Sequence, residues 1–204
     1  MLRVEQLCVP GLPPLSFEVG EGTCLAIEGP SGIGKTRLLR AMADLDETPG
    51  QVFLDGAERR EMPAWQWRKQ VRFSPAEPGW WGETARASLS ETDVDIARIK
   101  KMSEDLGLDP KVFDQPLAQL STGERLRLAL TRALADQPRV VLLDEPTGAL
   151  DKASAALAEE LIRYQVLAGR TVILVSHDKG QIERLADMRL QLADPAASLV
   201  AMST

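Results

Sequence analysis

Apolar and polar positions alternate in short bursts along the first fifty residues. LRVEQL (2–7) and LSFEV (15–19) place apolar side chains at nearly every second position, the period of a half-buried strand. TCLAIEG, a mostly apolar run closing on glycine, fits a strand buried on both faces. A helix is expected to begin at Gly34 and to carry Lys35 to about Ala43. QVFLDG reads as strand and turn, and PAWQWRKQVRFS as a short helix running into another strand. Over 83–115 the period lengthens. Ile96, Ile99, Met102 and Leu106 recur at helical spacing with charges between them, which predicts a helical insertion. The next helix aligns Leu126, Leu130 and Leu134 on one stripe. RVVLLDE, the alanine-rich stretch after Asp151, TVILVSH and DKGQIERLAD then alternate strand, helix, strand, helix. That order predicts an α/β fold whose mainly parallel sheet is flanked by helices on both faces. The stretch 189–204 is expected to add one or two edge strands.

Composition narrows the function classes more than the fold. At 204 residues, 44% hydrophobic and 26% charged, the chain suits a single globular domain, 1–204. A formal charge of -6 gives no electrostatic reason to bind nucleic acid, so no nucleic-acid partner is expected. Two cysteines, Cys8 and Cys24, are too few for a disulfide framework or a metal cluster. The apolar runs are strand-sized and the N-terminus lacks the apolar core of a signal peptide. No direct membrane insertion is expected, and any membrane association must come through a partner.

The octet GPSGIGKT carries the most specific chemistry. It follows an expected strand and opens an expected helix, the context a phosphate-binding loop requires. Gly29, Gly32 and Gly34 let the backbone curl so that successive N–H groups converge on an anion, and the helix N-terminus adds partial positive charge. Lys35 would reach the β- and γ-phosphates of a nucleoside triphosphate, and the Thr36 hydroxyl would ligate magnesium. With Pro30, Ser31, Ile33 and the following Arg37, these residues form the candidate nucleotide-binding set. A glycine-rich turn with an incidental lysine is the bland alternative, and the complete octet with its flanks weighs against it. At the end of RVVLLDE, Asp144 would lie beside this loop as a second magnesium ligand, and Glu145 could accept a proton from an attacking water.

LSTGE (120–124) contains a capping box, Ser121 followed three residues later by Glu124, reason enough to start a helix. It also resembles the signature motif of the ATP-binding-cassette (ABC) ATPases, and leads through TRALADQPRVVLLDEPTGALD in that family's order. The resemblance runs from about residue 2 to 186. It implies a P-loop NTPase fold with an N-terminal antiparallel β subdomain and a helical subdomain at about 77–136. It further implies that 29–36 is the Walker A loop, 140–144 Walker B and Glu145 the catalytic carboxylate. Asp151 closes the D-loop, and His177, the single histidine, is the switch histidine. By the same resemblance two copies pair head to tail around ATP and Mg2+, so that Ser121, Thr122 and Gly123 of one contact nucleotide held by the other. The expected role is the ATP-hydrolysing subunit of a transporter, cytoplasmic and peripheral on the inner membrane face through a permease partner. With so few residues after the His177 region, no regulatory C-terminal domain is expected. Two rivals stay open: a slow cassette acting as a nucleotide-dependent switch, and a soluble non-transport ABC protein.

Three positions depart from the family pattern. Val9 stands where an aromatic residue usually stacks on adenine, so ATP and GTP would be poorly distinguished. Thr122 and Glu124 replace a glycine and a glutamine of the signature. Ala76 stands where a loop glutamine is usual, with Glu77 beside it, and slower hydrolysis is expected. FSPAEPGWWGE (73–83) puts two of four tryptophans side by side. The resemblance makes 76–83 the contact to the permease, with Trp80 and Trp81 as anchors. The alternative is that one or both pack beneath the helical segment, with Trp65 or Trp67. The stretches RKQVRF, WWGETA and SHDKGQIERLAD resemble, more loosely, small ATPase subunits of bacterial metal (iron) exporters.

Overall fold

The computed structural model describes residues 1–88, 96–193 and 197–201. Strands β1 (Leu2–Leu7) and β2 (Leu15–Val19) pair antiparallel, and their alternation puts Leu2, Val4, Leu15, Phe17 and Val19 inside. With β4 (Gln51–Leu54) and β5 (Ala57–Glu58) they form a four-stranded antiparallel sheet ordered β2-β1-β4-β5.

The second sheet starts with β3 (Cys24–Glu28), which is buried along nearly its whole length. It is joined by β6 (Val71–Ser74), β7 (Val140–Asp144), β8 (Thr171–Val175), β9 (Met188–Leu192) and β10 (Ala197–Ala201). The described order is β10-β9-β3-β8-β7-β6, parallel except for β10. The C-terminal stretch therefore does not supply only edge strands. β9 lies inside the sheet against β3, because Leu190 and Leu192 are buried, and β10 forms the edge. Residues 194–196 and 202–204 of that stretch lie outside the described residues.

Helix α1 (Lys35–Met42) packs between the two sheets. Its C-terminal carbonyls are taken by side chains from the segment before β6. Trp67, on α2 (Ala64–Gln70), donates Nε1–H to the Met42 carbonyl at 2.9 Å, and Arg68 donates to Asp44 at 2.6 Å. Arg59, 1% exposed, donates to the Thr48 and Ala41 carbonyls. Cations and N–H donors at a helix C-terminus satisfy its last carbonyls and complement its dipole.

The other face of the parallel sheet is covered by α3 (Ile96–Asp105), α4 (Thr122–Leu134), α5 (Lys152–Leu167) and α6 (Lys179–Leu185). Ile99, Met102 and Leu106 are buried here as their spacing predicts. The Ile96 side chain lies outside the described residues. Part of the expected helical insertion, residues 89–95, lies outside the described residues. Among the described residues around α3 the chain makes 3-10 turns at Arg86–Ser88, Pro110–Phe113 and Leu117–Gln119. Gly107, at φ +68°, stops α3, and Pro110 and Pro116 prevent continuation. Among the described residues no helix is long and apolar enough to cross a membrane.

Candidate nucleotide site

The loop 29–34 joins β3 to α1. Gly29 has φ +153°, and a Cβ there would meet the Leu192 carbonyl oxygen at 2.7 Å, so only glycine fits against β9. Gly34, at φ +116°, precedes α1, whose first amides receive no side-chain cap. Those donors are left for an anion. Pro30, Ser31, Gly32, Thr36 and Arg37 are exposed, and Ile33 packs against the core between the sheets. Lys35 is only 7% exposed. Its Nζ donates to the Gly29 carbonyl at 2.8 Å and the Pro30 carbonyl at 3.0 Å, so the ammonium is folded into the loop.

Asp144 ends β7 and is 5% exposed. The Thr36 hydroxyl donates to Asp144 Oδ2 at 2.6 Å, which joins the loop to the strand end and sets two hard oxygens side by side. At Glu145 the chain turns sharply, with φ +48°, while its N–H still donates to Val175 at 3.0 Å. An ordinary residue in the left-handed region costs energy and marks a constrained position. Glu145 Oε2 accepts a hydrogen bond from the His177 N–H at 3.4 Å. His177 Nε2 lies 3.4 Å from Oε1. That contact lacks hydrogen-bond geometry, and among the described residues Oε1 is a buried acceptor without a donor. Burial raises the Glu145 pKa above its ordinary value. The His177 contact opposes the rise, and the Asp144 charge adds to it.

The turn after Glu145 is closed by Gly148 N–H donating to the Glu145 carbonyl at 3.1 Å. Asp151 then caps α5, accepting from the Ala153 and Ser154 amides at 2.9 and 3.1 Å and from the Ser154 hydroxyl at 2.7 Å. One residue with no role in the sequence reading braces this turn. Gln181 on α6, 1% exposed, donates from Nε2 to the Thr147 hydroxyl at 2.8 Å. Nothing in the sequence marks it beyond the helical period of α6.

Ser121 caps α4 in a reciprocal box. Its hydroxyl accepts from the Glu124 amide at 3.2 Å, and Glu124 Oε2 accepts from the Ser121 amide at 2.8 Å. Hydrogen bonds from Ser121 lower the Glu124 pKa. Ser121 and Thr122 are exposed, and a Cβ at Gly123 would lie 3.5 Å from Leu150. The cap thus sits beside the turn containing Asp151, and no hydrogen bond among the described residues joins 121–123 to 29–36. Val9 is 3% exposed and packs in the core beside Gly34, so it offers no face on which a base could lie.

The tryptophan pair divides. Trp81 is 72% exposed, whereas Trp80 packs against the core under the helices. Trp67 is buried elsewhere, under α1, and Trp65 is 59% exposed. Ala76 is half-buried and Glu77 exposed. Beside Trp81 opens a groove of about 240 Å³ bordered by Arg72, Phe73, Pro75, Ala129 and Arg132.

This geometry has close counterparts. The model of the family described as ABC transporter matches residues 12–148. The sulfate/thiosulfate import ATP-binding protein CysA of Caulobacter vibrioides is 38% identical over 191 residues, covering 87% of this chain and 56% of that protein. The aliphatic sulfonates import ATP-binding protein SsuB of Zymomonas mobilis is 35% identical over 185 residues, covering 89% of this chain and 75% of that protein. The chain spans only 53–56% of the length of several curated relatives it matches. Among solved structures, a dimeric ATP-binding cassette in a post-hydrolysis state with ADP and Pi superposes with a TM-score of 0.87 at 22% identity, covering both chains fully. A bacterial Atm1-family ABC exporter with ATP bound gives 0.86 at 24% identity, over 98% of this chain and 38% of that one. At these identities the two structures speak for the fold.

Proposed function

Because this chain belongs to the ABC transporter family, we propose that it is the ATP-binding, ATP-hydrolysing subunit of a transporter. Two copies close around ATP and magnesium and drive a separate membrane-embedded permease. One observation carries the reading: the Thr36–Asp144 oxygen pair adjoins a Glu145 carboxylate with an unsatisfied, buried oxygen.

The uncapped amides of α1 and the Lys35 ammonium receive the β- and γ-phosphates, with Lys35 exchanging its carbonyl partners for phosphate oxygens. Thr36 Oγ1 and Asp144 Oδ2 are the hard-oxygen pair that suits Mg2+. When bound there, the ion would neutralise charge on the triphosphate. Glu145 Oε1, an acceptor without a donor among the described residues, takes the proton from the attacking water. The raised pKa makes it a better proton acceptor than an exposed carboxylate. His177, in contact with the same carboxylate, orients it and faces the γ-phosphate side. Ser121, Thr122 and Gly123 of the second copy complete the site over the nucleotide, and Asp151 fixes the turn between them.

The whole chain is one cassette, 1–204, with 77–136 as its helical subdomain. The 76–83 loop meets the permease, which holds the subunit at the cytoplasmic membrane face. The exposed Trp81 supports this, since a lone large aromatic on a surface suits an interface anchor. Trp80 is not part of that anchor. A second reading, a slow cassette acting as a switch, is favoured by Ala76, which has no side-chain oxygen to offer at the site.

The test is the steady-state ATPase rate of wild type and Glu145→Gln, with size-exclusion chromatography in ATP and magnesium. Loss of the general base is expected to slow turnover by about 10²- to 10⁴-fold and to trap an ATP-bound dimer. A variant that turns over at the wild-type rate and stays monomeric with ATP would overturn the proposal.

A further inference from the structure

Arg132 lies on the last turn of α4 with its guanidinium carbon 4.3 Å from the Trp80 ring centre and 4.7 Å from that of Trp81. One Nη donates to the Gly79 carbonyl at 3.0 Å. No carboxylate among the described residues pairs with it. The nearby Asp136 is engaged by Arg72. One more donor on the groove lacks an acceptor: Arg72 Nε is buried without a hydrogen-bond partner. This side of the groove therefore has more N–H donors than acceptors, and its one carboxylate is taken.

We propose that the groove beside Trp81 receives a short, acid-bearing segment of the membrane partner, whose carboxylate is read by Arg132. The inference rests on the docking reading of the 76–83 loop given above and adds the chemistry of what docks. Two indole rings hold the planar guanidinium by cation–π contact, and its N–H groups beyond the one spent on Gly79 are left for a ligand. A planar fork of donors matches a carboxylate, which it can hold through two parallel hydrogen bonds. Burial and the nearby Arg72 lower the Arg132 pKa to about 10, which leaves it a cation at neutral pH. An incoming carboxylate compensates a positive charge the isolated subunit leaves without a counter-ion.

The test uses the full chain and three labelled 14-residue amphipathic helical peptides, free of tryptophan and identical except for a central Glu, Gln or Lys. Binding is read by fluorescence anisotropy, with ATP binding measured in parallel as a check on folding. The Glu peptide is expected to bind at least tenfold more tightly than the Gln peptide, and the Lys peptide more weakly than either. In Arg132→Met that preference should vanish. Arg132→Lys, which keeps the charge but loses the planar fork, should retain only part of it. Trp81→Ala should weaken all three peptides. Equal binding of Glu and Gln peptides, or tighter binding of Lys, overturns the acid inference while leaving docking at the groove intact. If none binds to wild-type protein that still binds ATP, both the inference and the docking reading fall.

Discussion

Glu145→Gln should stabilise the nucleotide-free protein at neutral pH while slowing its turnover. In the folded state the carboxylate is mostly buried, one oxygen has no donor, and the other accepts only a long bond from His177. An acceptor left unsatisfied costs about 1–3 kcal/mol, and more when the group is charged. A neutral amide keeps the His177 interaction and removes the charge, although it introduces an N–H that needs a partner. The net gain is therefore set at the lower end, about 1 kcal/mol, or ~2–4 °C in Tm for a chain of this size. Because folding raises the Glu145 pKa, the folded chain binds this proton more tightly than the unfolded one. The stabilising contribution of Glu145 is complete below its unfolded pKa, near the ordinary 4.5, and is lost as pH rises through the folded value. The advantage of the glutamine variant should thus appear above that range and shrink towards zero as pH falls to 4.5. Thermal and urea melts without nucleotide, run at several pH values, measure it. A variant less stable than wild type at neutral pH, or a difference that ignores pH, would refute the argument.

Gly29→Ala should lower stability by about 1–3 kcal/mol through positive-φ strain and weaken ATP binding, since its Cβ meets the Leu192 carbonyl at 2.7 Å; melts and calorimetric titration check both. Ala76→Gln should raise magnesium-dependent ATP turnover by restoring a side-chain oxygen at the loop, and an unchanged or slower steady-state rate would count against that. Gln181→Leu removes a donor to Thr147 together with a buried, unpaired Oε1. Because these terms oppose each other, Tm should move by less than about 4 °C while kcat falls and KM for ATP holds; an unchanged kcat would show that the brace does not position Glu145.

What could be read from the sequence was what is local in it. The phosphate loop, the strand ending in Asp144 and the Ser121–Glu124 box each occupy consecutive residues, so their geometry is written in residue types at fixed offsets. The alternation of LRVEQL and LSFEV likewise gave the inner face of the antiparallel sheet. What escaped depends on contacts between distant segments. Gln181 meets Thr147 across 34 residues and Arg132 meets Gly79 across 53, and neither pair leaves a periodic trace. β9 was expected at the edge because its interior position depends on pairing with β3, more than 150 residues earlier in the chain. In the helical insertion the apolar spacing of Ile99, Met102 and Leu106 marked α3, and Gly107, Pro110 and Pro116 mark where the chain leaves it for short turns.

The distribution of unsatisfied polar atoms separates the parts of this molecule that are finished from those that await something. The caps at Ser121 and Asp151 are fully bonded, so both helix starts are rigid before any nucleotide or second copy arrives. The buried orphans fall elsewhere. Glu145 Oε1 and Gln181 Oε1 flank the catalytic turn, and Arg72 Nε and Trp80 Nε1 flank the groove at Trp81. Glu58 Oε1 and Arg59 Nε form another such pair, beneath α1, where their opposite charges partly offset each other. An unpaired buried group costs about 1–3 kcal/mol, so keeping two at each functional face lowers the stability of the isolated subunit. The part of that cost due to Glu145 is recovered when a proton reaches its Oε1. Partner docking should stabilise the fold separately, by giving the Arg132 cation a counter-ion.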